Sequence, residues 1–456
     1  MNKNTMIIAA VAVVAIVLVA AVVVSMGGNG SKSAGVPTAS KLQIMGNAND
    51  DSTIDSEDMA ILDSILAGTA SLSDYPLADV NYDGTVNADD KALLQDIIDR
   101  KEGTTVYVLC LDVDGNDTVV PCEYPLRNIV AYGTNMQLPV LYANGGQYMA
   151  GYFNSSYDVA EASISSSAVD LKGSSRSISD AAWTNFMELD ASLEGDIGAF
   201  LIDYSNVSQM TSARVTDLSD AGIPLIIYSS ADAESELVTT LTLGFLFGGN
   251  SESLGVSYAQ LGWDVLEYID GKVGGLSDSE RTSFICCTMY IYICQNDSTF
   301  NATPTSAGGI AYSKVNSSFA STYSGDSSTK MSSVEALSNY TDVGAVINNR
   351  SIDWGLTSAE VDETIVDIWE HSNDGTASYE FFTGLTDKLY YVNNLLPGGV
   401  RLAYAACALY GDVFTLEWAE DILQQYIDMG TAPLDGQSTD SIVAYFDLDM
   451  YNAAKA

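Results

Sequence analysis

Twelve residues, Asp79 to Asp90 (DVNYDGTVNADD), set oxygen-bearing side chains at alternate positions and then stop at a glycine. Asp79, Asn81 and Asp83 stand at positions 1, 3 and 5, Gly84 at 6, Asn87 at 9 and Asp90 at 12, and the carbonyl of Thr85 falls at 7. Hard cations take several oxygen ligands, and this order wraps carboxylates, amides and a carbonyl around calcium while the glycine makes the sharp turn. A second copy lies upstream. Asn47, Asn49, Asp51, Asp55 and Asp58 fill positions 1, 3, 5, 9 and 12, with the Thr53 carbonyl at 7. It carries Asn47 where the first acid belongs and Ser52 where the glycine belongs, so the first loop is expected to bind less tightly. Calcium in both loops is the expected structural cofactor.

Behind each loop the apolar residues repeat. Ile61, Leu62, Ile65 and Leu66 correspond to Leu93, Leu94, Ile97 and Ile98, one face of a helix in each copy. Pro76 just before the second loop argues against a long entering helix. This duplicated loop–helix pair, residues 44–102, resembles a dockerin module, a small all-α EF-hand-like unit whose loops bind calcium and whose helices pack together. Asp at position 12 is also dockerin-like. The resemblance implies a cohesin-like protein as one candidate partner. A dockerin used that way is usually terminal, and the placement here between N-terminus and lobes instead favours a calcium-stiffened spacer.

Other chemistries are poorly supplied. The single histidine, His371, reads as a helix-end surface residue and cannot build a His-rich metal site. There is no G-x-S-x-G elbow, no G-x-x-x-x-G-K-[ST] phosphate loop and no G-x-G-x-x-G fingerprint. No catalytic residue, and no enzyme, is expected. Cys110 and Cys122 flank a hairpin signal whose strands could pair them, while Cys286, Cys287 and Cys294 read as buried thiols in an apolar run.

The elements that must position these groups follow from composition. Sixty acidic residues face 18 basic ones, for a net charge of −42, which disfavours nucleic acid as a partner and suits an exposed, hydrated surface. The uncharged run Ile7 to Val24 is long enough to span a bilayer and is expected to be an uncleaved single-pass anchor, with Lys3 inside and the bulk extracellular. A Gly/Ser-rich linker follows, and the setting looks archaeal. Past Lys101 short apolar strands (NIVAYG, IGAFLIDY, IPLIIYSS, SFICCTMYIYI, VGAVINN) alternate with helical stretches, the order of parallel sheets covered by helices. The run VSYAQLGWDVLEYIDGKV has helical spacing and ends at Gly274–Gly275, as a bridge between two α/β lobes would.

From Val106 to Gly430 the elements VYVLCLDVDGNDTVVPCEYPLRNIVAYG, MELDASLEGDIGAFLID, LSDAGIPLIIYSS, LGFLFGGN, TSAGGIAYSKV and LPGGVRLAYAACALYGDVF occur in the order found in class III substrate-binding proteins, which this chain resembles. These serve ABC importers of ferric siderophores, haem and corrinoids. The resemblance departs at Gly195 and Thr341, where proline is usual. It implies two Rossmann-like lobes joined by a long helix, with a metal chelate held between the carboxyl ends of the strands. The residues at those ends are Tyr132, Thr134, Asn135, Tyr204, Tyr228 and Ser229 in the first lobe and Thr305, Ser306, Asn349, Arg350 and Trp354 in the second. Tyrosine and tryptophan suit a bulky amphipathic chelate, and Arg350 could fork onto a carboxylate or catecholate. The resemblance also implies an ABC permease as partner, docked through Glu188 and Glu335. The expected organisation is an anchor at 1–26, a linker at 27–43, the calcium module at 44–102, a first lobe at 103–252, a connecting helix at 253–275 and a second lobe at 276–456.

Overall fold

The computed structural model describes residues 40–153, 157–174, 177–230, 232–288, 291–333, 335–371 and 378–456. The chain divides into two compact units, Met1–Pro125 with Pro224–Ile227, and Leu126–Ile223 with Tyr228–Ala456.

In the first unit each acidic loop feeds a helix, α1 (Ser56–Leu66) and α2 (Ala88–Ile98). Both begin with a capping box: Asp55 with Asp58, and Asn87 with Asp90. Loop positions 9 and 12 thus satisfy the first free amides of the helix that follows. Strands β1 (Thr104–Leu111) and β2 (Asp117–Tyr124) form an antiparallel hairpin, and β1 also meets β7 (Leu225–Tyr228) at Leu111↔Ile227. The loop–helix module does not stand apart from this hairpin. Ile44 bridges Val108, the Met45 amide donates to the Tyr107 carbonyl, and the Leu109 amide donates to that of Gln43. Met45, Leu77 and Leu109 bury together, with Tyr107 and Val119 against them. The expected boundary at residue 102 therefore falls inside one packed body.

The hairpin register also decides a cysteine question. Cys122 lies opposite Val106 and Cys110 opposite Thr118. The two are offset by four residues, roughly 13 Å along the strand, far beyond the ~7 Å limit for a bridge. Cys110 and Cys122 are free thiols, so the pairing that the hairpin signal left open is not made.

In the second unit, β3 (Ile129–Tyr132), β4 (Met149–Tyr152), β5 (Val169–Asp170) and β6 (Ala199–Asp203) run parallel, with β3 central between β6 and β4. Helices α3 (Thr134–Tyr142), α4 (Asp180–Ser192), α5 (Ser212–Ala221) and α6 (Ala233–Phe247) intervene in the βα order that a parallel sheet requires. Then α7 (Asn250–Val273), 24 residues long, leads to the second sheet.

That sheet has the order β11-β9-β8-β12-β13-β14, with β10 (Ile310–Ala311) also on β8 (Ser283–Thr288). β8, β12 (Ala345–Arg350) and β13 (Leu389–Asn393) are parallel, as expected. The outer strands β9 (Tyr292–Cys294), β11 (Ser328–Lys330) and β14 (Tyr445–Phe446) are antiparallel, so the sheet is mixed around the expected parallel centre. The connection from β8 to β9 is too short for a helical crossover, so the chain must turn back on itself. SFICCTMYIYI, expected as one strand, is thus split, with Met289 and Tyr290 outside the described residues. Helices α8 (Ala302–Ser306), α9 (Ser358–Glu370), α10 (Gly398–Leu409) and α11 (Leu416–Asp428) are among those of this half.

Among the described residues no helix is long and apolar enough to cross a membrane. This corrects the expected placement as a single-pass protein of the cell membrane with its bulk outside. The run Ile7–Val24, on which that placement rested, lies outside the described residues, as does most of the linker.

Candidate functional site

The two loops of the first unit share one geometry. In each, the carboxylate at position 12 accepts the amides of positions 3 and 9: Asp58 from Asn49 and Asp55 (3.1 and 2.8 Å), Asp90 from Asn81 and Asn87 (3.1 and 2.8 Å). Position 4 is left-handed in both, with Asp50 and Tyr82 at φ 56°. The loops part at positions 1 and 6. In the second, Asp79 accepts the amides of Asp83 and Gly84 (3.1 and 2.8 Å), and Gly84 takes φ 93°, a conformation costly for serine. In the first, Ser52 is not left-handed, and the Asn47 amide group donates to Ser40 Oγ and to the carbonyls of Leu42 and Asp51.

The carboxylates of the second loop lie close to one another. Asp79, Asp83 and Asp90 lie near enough for the last two to push the Asp79 pKa up, after the larger effect of burial. In the first loop the fully buried Asn47 leaves its Oδ1 without a partner. Burial raises Asp58 to about 6. The remaining donors are half-buried or exposed: Asn49, Asp51 and Thr53 linked by hydrogen bonds in one loop, Asn81, Asp83 and Thr85 in the other. Among the described residues no three His, Cys, Asp or Glu side chains are gathered tightly enough to hold a metal ion. Binding calcium would therefore require these side chains to draw inward.

In the second unit the strand-end residues fall into two groups. On the first sheet, Asp203 at the end of β6 holds Ser205 and Ser230: it accepts the Ser205 amide (2.8 Å) and the Ser230 amide and hydroxyl (2.7 and 2.9 Å). Ser230 Oγ also lies 2.6 Å from the Asn135 carbonyl, so its single proton is shared between that oxygen and Asp203. Thr134, Tyr204 and Ser229 are half-buried beside this cluster's strands, and Tyr228 is buried at the end of β7. Tyr132 is fully buried, edge-on to Phe153 at 5.2 Å, with its hydroxyl unpartnered.

On the second sheet, Asn349 donates to Cys286 Sγ at 3.0 Å. The Arg350 carbonyl accepts from the Asn394 amide, and Trp354 is buried with its indole N–H on the Pro433 carbonyl (2.7 Å). Thr305 is exposed and caps back to Asn301 at 2.7 Å. Ser306 reaches across to Glu234, the second residue of α6. Beside it the Ala233 amide donates to Thr303 Oγ1 at 3.2 Å. Helix α6, which follows the first sheet, thus meets α8 of the other half of this unit through these two contacts.

The sequence reading missed the buried pair beside these contacts. Glu236, in the first turn of α6, is paired with Arg401 of α10, the two side chains only 4% and 5% exposed. Glu236 also accepts the Tyr258 hydroxyl from α7 and the Gly398 amide (3.2 Å). Tyr142 stacks on Tyr258 at 5.2 Å and donates to the Leu395 carbonyl, and Tyr426 donates to the Tyr258 carbonyl at 3.1 Å. Burial holds Glu236 above the usual carboxylate range, with Arg401 pulling it back. One signal was available, and for one partner only: Arg401 is a lone charge inside the apolar stretch LPGGVRLAYAACAL, whereas Glu236 follows Asp232 and Glu234 and does not stand out.

Glu188 is exposed on α4 and Glu335 is exposed in the turn before β12. His371 caps α9 at the surface, with Nδ1 2.9 Å from Asp367.

No family model matches the chain. No curated protein matches it either. Among solved structures it is similar to a periplasmic solute binding protein from Veillonella parvula DSM 2008, with 15% identity over 77% of this chain and 100% of that one and a TM-score of 0.47. A TroA-like periplasmic binding protein, FepB, from Veillonella parvula has 12% identity over 74% and 99%, with a TM-score of 0.47. An ABC transporter solute binding protein from Sulfurospirillum deleyianum DSM 6946 has 13% identity over 70% and 93%, with a TM-score of 0.45.

Proposed function

We propose that this chain is a solute-binding protein that captures a metal chelate, such as a ferric siderophore, haem or corrinoid, and presents it to the permease of an ABC importer. The observation that carries this reading is the seam. Two β/α halves are joined by the 24-residue helix α7 and touch where α6 meets α8, and in the proposed reading the carboxyl ends of their strands flank that seam, where open parallel sheets bind ligands. The polar groups there, Asn135, Ser230, Ser306 and Asn349 among them, would meet the oxygen-rich shell of a chelate once the seam parts. Exposed Glu188 and Glu335 are the proposed contacts to permease arginines.

The acidic loops are proposed to hold calcium as a structural ion, with Asp79, Asn81, Asp83, Asn87 and Asp90 the stronger set. Because the module is stitched to β1, the ion would stiffen the edge of that hairpin as well as its own loop.

The test is tryptophan fluorescence of the purified protein titrated with ferric siderophores, haem and cobalamin at fixed calcium. Saturable quenching by one class at micromolar affinity or better is expected. A folded protein silent to the whole panel would refute the assignment.

A further inference from the structure

β8 and β9 pair antiparallel, with Cys287 opposite Ile293 and Thr288 opposite Tyr292. One more step of that register sets Cys286 opposite Cys294. Directly opposed residues in such a pair have Cα atoms about 4.5 or 5.5 Å apart, inside the ~4.4–6.8 Å window that a disulfide spans. The side chains are 2% and 3% exposed and line the same cavity, of about 10 Å³, with Asn296 and Asn301. The Cys294 thiol lies within hydrogen-bonding reach of Cys286. Cys287 is excluded by the pleat: it faces the opposite side, in the core with Ile293 and Trp369. Cys407 is engaged elsewhere, donating to the Thr415 carbonyl at 3.3 Å.

We propose that Cys286 and Cys294 are an oxidisable pair that closes into a cross-strand disulfide, fixing the loop from β9 to α8. That loop is held now by the Cys286 thiol donating to the Phe300 carbonyl at 3.3 Å and by Asn301 donating to the Gln295 carbonyl at 2.7 Å. The oxidant is a peroxide, small enough for a cavity that admits about one water. One thiol is oxidised to a sulfenic acid as the peroxide O–O bond breaks and one water leaves. The second thiol's sulfur then attacks the sulfenic sulfur, forming the S–S bond and expelling a second water. Two thiols and one hydrogen peroxide thus give one disulfide and two waters. Burial pushes the Cys286 thiol well up and keeps the thiolate scarce, so the reaction is slow in the closed fold. The pair also touches the proposed ligand seam, since Asn349 donates to Cys286 Sγ.

The experiment exposes the full chain to hydrogen peroxide, then unfolds it in an alkylating reagent for peptide mapping by mass spectrometry. Four of the six thiols are expected to alkylate, with the peptides of Cys286 and Cys294 linked and two hydrogens lighter. The oxidised protein is expected to melt at a higher temperature, and reductant should reverse both changes. In Cys294→Ser no disulfide should form. A bridge from Cys286 or Cys294 to Cys287 or Cys407 overturns the proposal. So does full alkylation of all six thiols after peroxide in a protein whose circular dichroism remains native. The wild-type map decides on its own if the serine variant does not fold.

Discussion

Replacing Arg401 by methionine keeps most of its bulk and removes the charge matched to Glu236. The carboxylate keeps two donors, the Tyr258 hydroxyl and the Gly398 amide, but it stays buried inside the second unit without a cation. Breaking one side of a buried pair costs about 3–5 kcal/mol, on the order of 10²–10⁴-fold in the folding equilibrium. The pH dependence gives the signature. A carboxyl whose pKa is raised in the folded chain binds its proton more tightly folded than unfolded. The stability tied to it is complete below the unfolded value of ~4.3 and is lost as pH rises through the folded value. Burial already raises Glu236 in the wild type. Without Arg401 the folded value climbs further and the loss extends over a longer interval. In urea unfolding followed by near-ultraviolet circular dichroism, Arg401→Met is expected to lose about 3–5 kcal/mol at pH 8 and much less near pH 4.5. Adding Glu236→Gln should restore part of the loss, because the amide oxygen can still accept both remaining donors. A deficit below about 1 kcal/mol at pH 8, the range of exposed pairs, or one that does not change with pH, would show that the pair is not holding the two halves.

Three further outcomes are expected. Gly399→Ala places a methyl against the Tyr426 hydroxyl and 3.0 Å from the Gly262 Cα, where α10 crosses α7, so thermal unfolding should show a loss of about 1–3 kcal/mol; an unchanged melting temperature would mean the helices can separate freely. Asp79→Ala should remove the tighter calcium site in isothermal titration, and calcium at a hundred times its dissociation constant should stabilise the wild type by about 2.7 kcal/mol against chelator; identical isotherms for the two proteins would refute the loop assignment. Charge reversal at Glu188 and Glu335 together should abolish chelate uptake in a reconstituted transporter while leaving ligand affinity unchanged, and retained uptake would remove both from the permease contact.

Local pattern was enough for some of this molecule. The two acidic loops share capping geometry because Asp58 and Asp90 occupy the same position in a repeated sequence. α7 is legible because Leu261, Val265 and Ile269 sit on one buried stripe and glycines follow it. What failed depends on partners remote in sequence, or on turns without turn residues. The break between β8 and β9 carries no glycine, proline or asparagine to mark it, so TMYIYI reads as one continuous strand. Cys110 and Cys122 flank a DG turn, yet only the register shows them four residues out of step. The attachment of the calcium-type module to β1 rests on Ile44, Met45 and Val108, which are unremarkable apolar residues until they are paired.

The contacts across the seam differ in strength, and that difference bears on how a ligand could enter. Glu236, Arg401, Tyr258, Tyr142 and Tyr426 draw on α6, α10, α7, α3 and α11, and every polar tip among them that bonds is buried. Separating them would strand a charge and several hydroxyls away from water, at several kcal/mol. The bonds from the Ala233 amide to Thr303 and between Ser306 and Glu234 lie one turn or less away on α6, with Ala233 fully buried and Thr303, Ser306 and Glu234 half-buried, and each is a single hydrogen bond worth ~1 kcal/mol net. Opening is therefore cheap at the α6–α8 contact and expensive beside α7. A hinge near the connecting helix that leaves Glu236–Arg401 intact would cost less than one that breaks the pair, and it is the motion the proposed chelate site calls for.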